Sequence, residues 1–253
     1  MNRVSWRFRV SWALAARFAP WLRSSQEAYF ATVESLIRPQ IRMLDIGCGT
    51  EFLMTWLRPD LHSRWTKSIV DRAEIFGIDP YLPSLVRNHR RLIACALADQ
   101  IPFPAASFDL VTANMVVEHL ADPATVLREI FRVLKPGGAV VFHTPNLNSL
   151  PMRLSDLLPH TLKRTIVPFI EGGREEEDVF PTLYKMNTRK AVEAAAASAG
   201  FQAETIQHVF TSPFTSALGP LVAAELLLAN LFRAERFAAW RPDLICLLRK
   251  PLG

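Results

Sequence analysis

From Ile41 onward, short apolar runs alternate with stretches of helical periodicity, the pattern of a mostly parallel sheet with helices on both faces. Ile41–Ile46 reads as a buried strand running into Gly47-Cys48-Gly49. Glu51–Leu57 reads as a helical turn or two stopped by Pro59, and residues 58–73 as a polar, irregular loop or a broken helix. Glu74–Ile78 is a second short strand that ends at Asp79-Pro80, Leu82–Arg90 is helical, and Leu92–Leu97 is a third strand. Phe108–Ala113 is the fourth. Ala124–Leu134 is a helix with Leu127, Ile130, Phe131 and Leu134 on one face. Pro136-Gly137-Gly138 is read as a turn before a fifth strand, Ala139–His143.

After Pro145 the rhythm changes. Residues 146–187 carry prolines, short amphipathic pieces and the acidic run Glu175–Asp178, the mark of an insertion over one end of the sheet. Order returns with an alanine-rich helix, Thr188–Ala199, stopped by Gly200, and an alternating strand, Phe201–Phe210. An apolar helix, Ser216–Phe232, precedes a last strand, Leu244–Leu248. Glu225, Asn230 and Pro220 interrupt that helix too much for a membrane span.

Composition narrows the classes. With 253 residues, half of them hydrophobic, the chain can bury a large core without staples. Cys48, Cys95 and Cys246 stand in no paired spacing, which excludes a disulfide framework or zinc ribbon and fits a reducing, cytoplasmic compartment. The net charge of +5 resides in residues 1–26, which hold five arginines and no acid. The rest is neutral, so the high isoelectric point does not describe a nucleic-acid-binding domain. Arginines there alternate with Trp6, Phe8, Trp12, Leu14, Phe18, Trp21 and Leu22. Three readings stand for this arm: a helix packed on the domain, a segment lying on an anionic membrane surface, and an organelle-targeting peptide.

The strongest chemical signal is Met43–Thr50, an apolar strand entering a glycine-rich turn, where a backbone can approach a ligand closely. Asp79 closes the next strand, the place of a ribose-binding carboxylate in dinucleotide-type folds, though farther along than the usual spacing of about 20 residues. Thr50-Glu51-Phe52 after Gly49 departs from the Gly-x-Gly-x-x-Gly of a nicotinamide enzyme. Asp79 also suits a helix N-cap, and Asp99 a plain turn.

Here the chain resembles the class I S-adenosylmethionine-dependent methyltransferases. The likeness covers Ile41 to Phe210 and rests on LDIGCGT at 44–50, GIDP at 77–80, ADQIPFPAASFDLV at 98–111, VVEHLADP at 116–123 and REIFRVLKPGGAVVFHTPN at 128–146. The later blocks are similar to the small-molecule branch that includes quinone-biosynthesis enzymes. The resemblance implies a Rossmann-like, doubly wound, seven-stranded α/β sheet, mostly parallel with an antiparallel last strand, plus a helical insertion. It divides the chain into a basic aromatic arm and helix at 1–38 and a methyltransferase domain at 39–253, with 146–187 on the substrate side.

It further implies S-adenosylmethionine as the cofactor. Asp45, Gly47, Cys48 and Gly49 would line its methionine portion, Asp79 and Pro80 its ribose, Asp99 and Gln100 its adenine, with Asn114 near the methionine end. Glu51 stands where the family commonly has a third glycine. It reads either as an acid in a first helical turn or as the sign of a non-catalytic binding module that kept the fold. No metal is called for. His119 reads either as a general base at the methyl acceptor or as a histidine satisfied by the backbone. His143 faces the same end of the sheet. Tyr29, Phe30, His143, Asn146, Tyr184 and Lys185 are candidate pocket walls. The expected acceptor is a small molecule, lipid-like or glycan-linked, with O-methylation favoured. The arm at 1–26 and the helix at 216–232 are the expected points of peripheral membrane contact.

Overall fold

The computed structural model describes residues 13–15, 17–50, 67–88, 92–156, 180–210 and 222–252. Glu51 and its expected helix, residues 58–66 of the irregular loop, the acidic run 175–178, the start of the arm and residues 216–221 lie outside the described residues. Two compact units divide the chain.

The larger unit comprises Gln26–Pro145, Thr182–Gln207 and Leu244–Gly253. Its elements are α1 (Ser25–Leu36), β1 (Ile41–Ile46), β2 (Ala73–Asp79), α2 (Leu82–Arg87), β3 (Ile93–Cys95), β4 (Phe108–Asn114), α3 (Pro123–Val133) and β5 (Leu134–Pro145). Then come α4 (Leu150–Asp156) within the segment 146–187, and after it α5 (Arg189–Ser198), β6 (Gln202–Val209), α6 (Val222–Leu231) and β7 (Asp243–Arg249), of which α4 and α6 belong to the smaller unit. The sheet has the order β3-β2-β1-β4-β5-β7-β6, with β1 to β5 paired in parallel. At the other edge Gly137 N–H donates to Lys250 C=O while Lys250 N–H donates to Gly138 C=O, a reciprocal pair that sets β7 antiparallel to β5.

Burial explains the sequence pattern. β1, β4 and β5 are apolar along most of their length because both faces of a parallel sheet are covered. α3 turns Val126, Leu127, Ile130 and Val133 into the core and starts where the Asp122 carboxylate accepts from the N–H groups of Ala124 and Thr125. Thr188 caps α5 in the same way, through the N–H of Ala191. Gly200 ends that helix at φ 87°, and the Phe131 ring lies so close that a Cβ there would meet it at 3.2 Å.

One element differs from expectation. Pro136-Gly137-Gly138 is not a turn between α3 and a separate strand but part of β5. The register jumps from Phe108↔Leu134 to Leu110↔Ala139, so three extra residues are absorbed as a bulge, with Gly137 at φ 75°. The third strand is shorter than expected, Ile93–Cys95 in place of Leu92–Leu97.

The smaller unit comprises Met1–Ser25, Asn146–Pro181 and His208–Asp243. Its described core gathers Ala19, Val222 and Leu226, with Leu14, Ala15, Trp21 and Leu22 against them. Trp21 donates to the Asn230 side chain at 3.0 Å, and its ring meets Phe210 edge-on. No described helix is long and apolar enough to cross a membrane.

Candidate functional site

The strand order places β1 and β4 at the point where the chain reverses its direction of travel across the sheet. At such a point a crevice opens at the strands' carboxyl ends. Every residue expected to hold a cofactor falls at that edge of the larger unit, on β1, β2, β4 or the segment after β3.

The glycine turn after β1 is shaped by its neighbours. The N–H groups of Gly47 and Cys48 donate to Ile78 C=O, at 2.8 and 3.2 Å, and that of Gly49 donates to Asp79 Oδ2 at 3.0 Å. These three amides are therefore engaged by β2 and are not free to bind an anion. Gly47 and Gly49 adopt φ of 72° and 49°, and a Cβ on Gly47 would meet Val116 Cγ2 at 2.4 Å, so the tight turn demands glycine there. The Cys48 side chain is buried, with its Sγ 2.7 Å from where a Gly77 Cβ would stand. Asn88, which no sequence signal singled out, donates to Gly49 C=O at 2.8 Å and fixes the far side of the turn.

Three carboxylates mark the edge. Asp45, buried on β1, accepts from the Thr112 hydroxyl at 2.7 Å, its cross-strand partner on β4. Asp79 is 7% exposed, and its second oxygen accepts from Tyr81 N–H at 2.8 Å. It is not the cap of α2, whose N-cap is Tyr81. Asp99 Oδ1 is buried with no hydrogen-bond partner among the described residues, while Gln100 beside it is exposed. At the amino end of the sheet the acids have cations, Glu74 with Arg42 and Asp109 with Lys135. Among the described residues Asp79 and Asp99 have none, so both keep acceptor capacity for a ligand's hydroxyl and amino groups.

The lip beside β4 holds a second cluster. Asn114 Oδ1 lies 2.8 Å from His143 Nδ1, and its Nδ2 donates to Gln26 on α1. Tyr29 is fully buried against His143, with ring centroids 5.9 Å apart, and burial followed by the Asp45 charge pushes its hydroxyl pKa well up. His119 ends the short 3-10 turn Val117–His119, 23% exposed, with Nε2 4.0 Å from Glu118 Oε1.

Glu118 was not foreseen. It is 3% exposed, accepts from the Thr144 hydroxyl, and burial raises its carboxyl pKa against the opposing pull of its hydrogen bonds and both histidines. Its carbonyl takes the N–H groups of Leu183 and Tyr184, and the Thr144 hydroxyl accepts from Asn187 Nδ2 at 2.6 Å. Thus one residue anchors the segment 182–187, where Tyr184 sits at φ 50° and Lys185 Nζ donates to Ala121 C=O. Phe30 is fully buried. Asn146, in the smaller unit, is fully buried too, its amide donating to Ala239 and Arg241 C=O.

The residues present fit the cofactor expected from the sequence. A nucleoside offers ribose hydroxyls and an exocyclic amine, and Asp79 and Asp99 are anions at the crevice edge with capacity to accept from both.

Comparison with known proteins agrees. Residues 44–142 match a family described as a methyltransferase domain. A ubiquinone biosynthesis O-methyltransferase of Pseudomonas fluorescens (strain Pf0-1) is 29% identical over 197 residues, 66% of this chain and 78% of that protein. One of the same name from Pseudomonas putida (strain F1) is 43% identical over 119 residues, 42% of this chain and 45% of that protein, so there the chain spans under half of its relative. In three dimensions, an S-adenosylmethionine-dependent methyltransferase from Mesorhizobium loti superposes with a TM-score of 0.55 at 20% identity, covering 89% of this chain and 98% of the other.

Proposed function

We propose that the chain is a class I S-adenosylmethionine-dependent methyltransferase and that it transfers the methyl group to a hydroxyl of a small-molecule acceptor. The observation that carries the reading is the pair of carboxylates, Asp79 and Asp99, at the switch point of the sheet, neither with a cation partner among the described residues. The O-methyltransferase names of the curated relatives support a hydroxyl as acceptor.

S-adenosylmethionine, when bound, would supply an activated methyl for displacement by an acceptor oxygen, leaving the demethylated thioether. The protein's share is to hold, orient and deprotonate. Asp79 would receive the ribose hydroxyls, Asp99 the adenine amine, and Asp45 with the glycine turn would border the methionine portion. His119 takes the acceptor's hydroxyl proton, and the imidazolium so formed has the Glu118 carboxyl 4.0 Å away. The acceptor is of the phenol type, whose hydroxyl a histidine can deprotonate in the transition state.

Calorimetric titration with S-adenosylmethionine and its demethylated product tests the cofactor seat. Asp79→Ala should weaken binding about ten-fold or more, the expected loss for a charged hydrogen-bonding partner of a ribose. A radiolabelled methyl-transfer screen of phenols, amines and carboxylates tests the acceptor. Transfer to phenols that His119→Ala slows in kcat supports the reading. Exclusive transfer to amines overturns the hydroxyl assignment, and no cofactor binding by the folded chain overturns the whole.

A further inference from the structure

The smaller unit carries an outward apolar and basic surface that the methyl-transfer reading does not use. In α6 the buried positions Val222, Leu226 and Ala229 follow helical spacing, and they face the packed side. Leu227 and Leu231, one turn apart on the other side, are 68% and 65% exposed. The helix runs into the 3-10 turn Glu235–Trp240, where Phe232, Phe237 and Trp240 pack ring on ring at 5.5 to 5.8 Å and Trp240 stays exposed.

Arginines lie over these rings. Arg236 sits 4.8 Å above Phe237, and Arg233 5.3 Å above Trp21. Glu235, the acid of that turn, is paired with Arg241 at 2.8 Å, whereas neither Arg233 nor Arg236 has a carboxylate partner among the described residues. The chain that contributes Trp21 carries five arginines and no acid over residues 1–26, with Arg17, Phe18 and Arg23 exposed.

We propose that this surface, Leu227, Leu231 and Trp240 with Arg17, Arg23, Arg233 and Arg236, docks on an anionic lipid bilayer. The chemistry is matched on both counts. Exposed leucines and an indole suit the boundary between headgroups and acyl chains. Arginines can lay their stems along apolar surface and keep the guanidinium at phosphate level, and an acid-free arm adds attraction to a negative leaflet. A second copy of the chain would present the same arginines to each other and is disfavoured by that repulsion. The proposal does not depend on the identity of the methyl acceptor.

Vesicle co-sedimentation of the full chain tests it, with phosphatidylcholine alone and with about one third phosphatidylglycerol. The intact chain should pellet with the anionic vesicles and stay largely in solution with the neutral ones. L227E/L231E, both exposed positions, should lower partitioning about tenfold, and R233A/R236A should lower it and flatten its salt dependence. Unchanged thermal melts and unchanged cofactor titration by these variants exclude misfolding as the cause. The proposal fails if the intact chain ignores anionic vesicles or if L227E/L231E pellets as the intact chain does. It also fails if light scattering shows a dimer that L227E/L231E dissolves while lipid has no effect.

Discussion

At the residue scale, Asp99 and Glu118 make opposite predictions for stability and function. Asp99 holds a buried acceptor atom without a donor among the described residues, a cost that a ligand's amine would relieve. Asp99→Ala should therefore leave the unliganded melting temperature unchanged or higher while weakening cofactor binding by several-fold. A fall in melting temperature together with unchanged binding would refute a ligand role. Glu118 has its folded-state pKa raised by burial, so folding favours its proton. Stability from that proton is full below the unfolded carboxyl value, near 4.5, and is lost as pH rises through the raised folded value. E118Q, which keeps an acceptor for Thr144 without the charge, should gain on the parent protein between pH 5 and 8 relative to pH 4, in urea midpoints read across about that range. Asp79 and Asp99 were legible in the sequence because each closes a strand or follows one in a recognisable block. Glu118 and Asn88 were not. Their importance comes from Thr144 and Gly49, partners 26 and 39 residues away that only the fold brings near.

At the element scale, the strands of the parallel core could be read from their apolar runs to within a residue or two, since doubly covered strands leave little room for polar positions. The bulge in β5 could not. Pro-Gly-Gly carries the same local signal whether the chain turns away or the strand absorbs the extra residues, and only the pairing of Leu134 with Phe108 decides. The glycine turn likewise depends on its neighbour strand. A Cβ on Gly77 would stand 2.7 Å from Cys48 Sγ and 2.9 Å from Cys48 Cβ, with no relief from a flexible chain end. G77A should destabilise the protein by roughly 1–3 kcal/mol, in the range of overpacked cores, and weaken cofactor binding by displacing the turn. Adding C48A removes the sulfur contact and should recover part of both losses, because the Cβ contact remains. Additive effects in the double-mutant cycle would show that the two sites do not meet.

For the whole molecule, ligand binding and folding are linked. A cofactor that binds only the folded state at a hundred times its Kd adds about 2.7 kcal/mol, which for a chain of this length is roughly 5–10 °C in melting temperature. Asp79→Ala should lose most of that gain at the same cofactor concentration, and a full gain in the variant would place the ribose elsewhere. The crevice itself has a further consequence. It is produced by the order in which the chain crosses the sheet, with β1 and β4 side by side, and not by any one side chain. A seat of that kind is inherited with the topology. Substitutions that keep the strand order keep the seat, whereas the segments outside the sheet are free of that constraint. Where the donor sits is then a matter of architecture, and which recipient is met a matter of side chains.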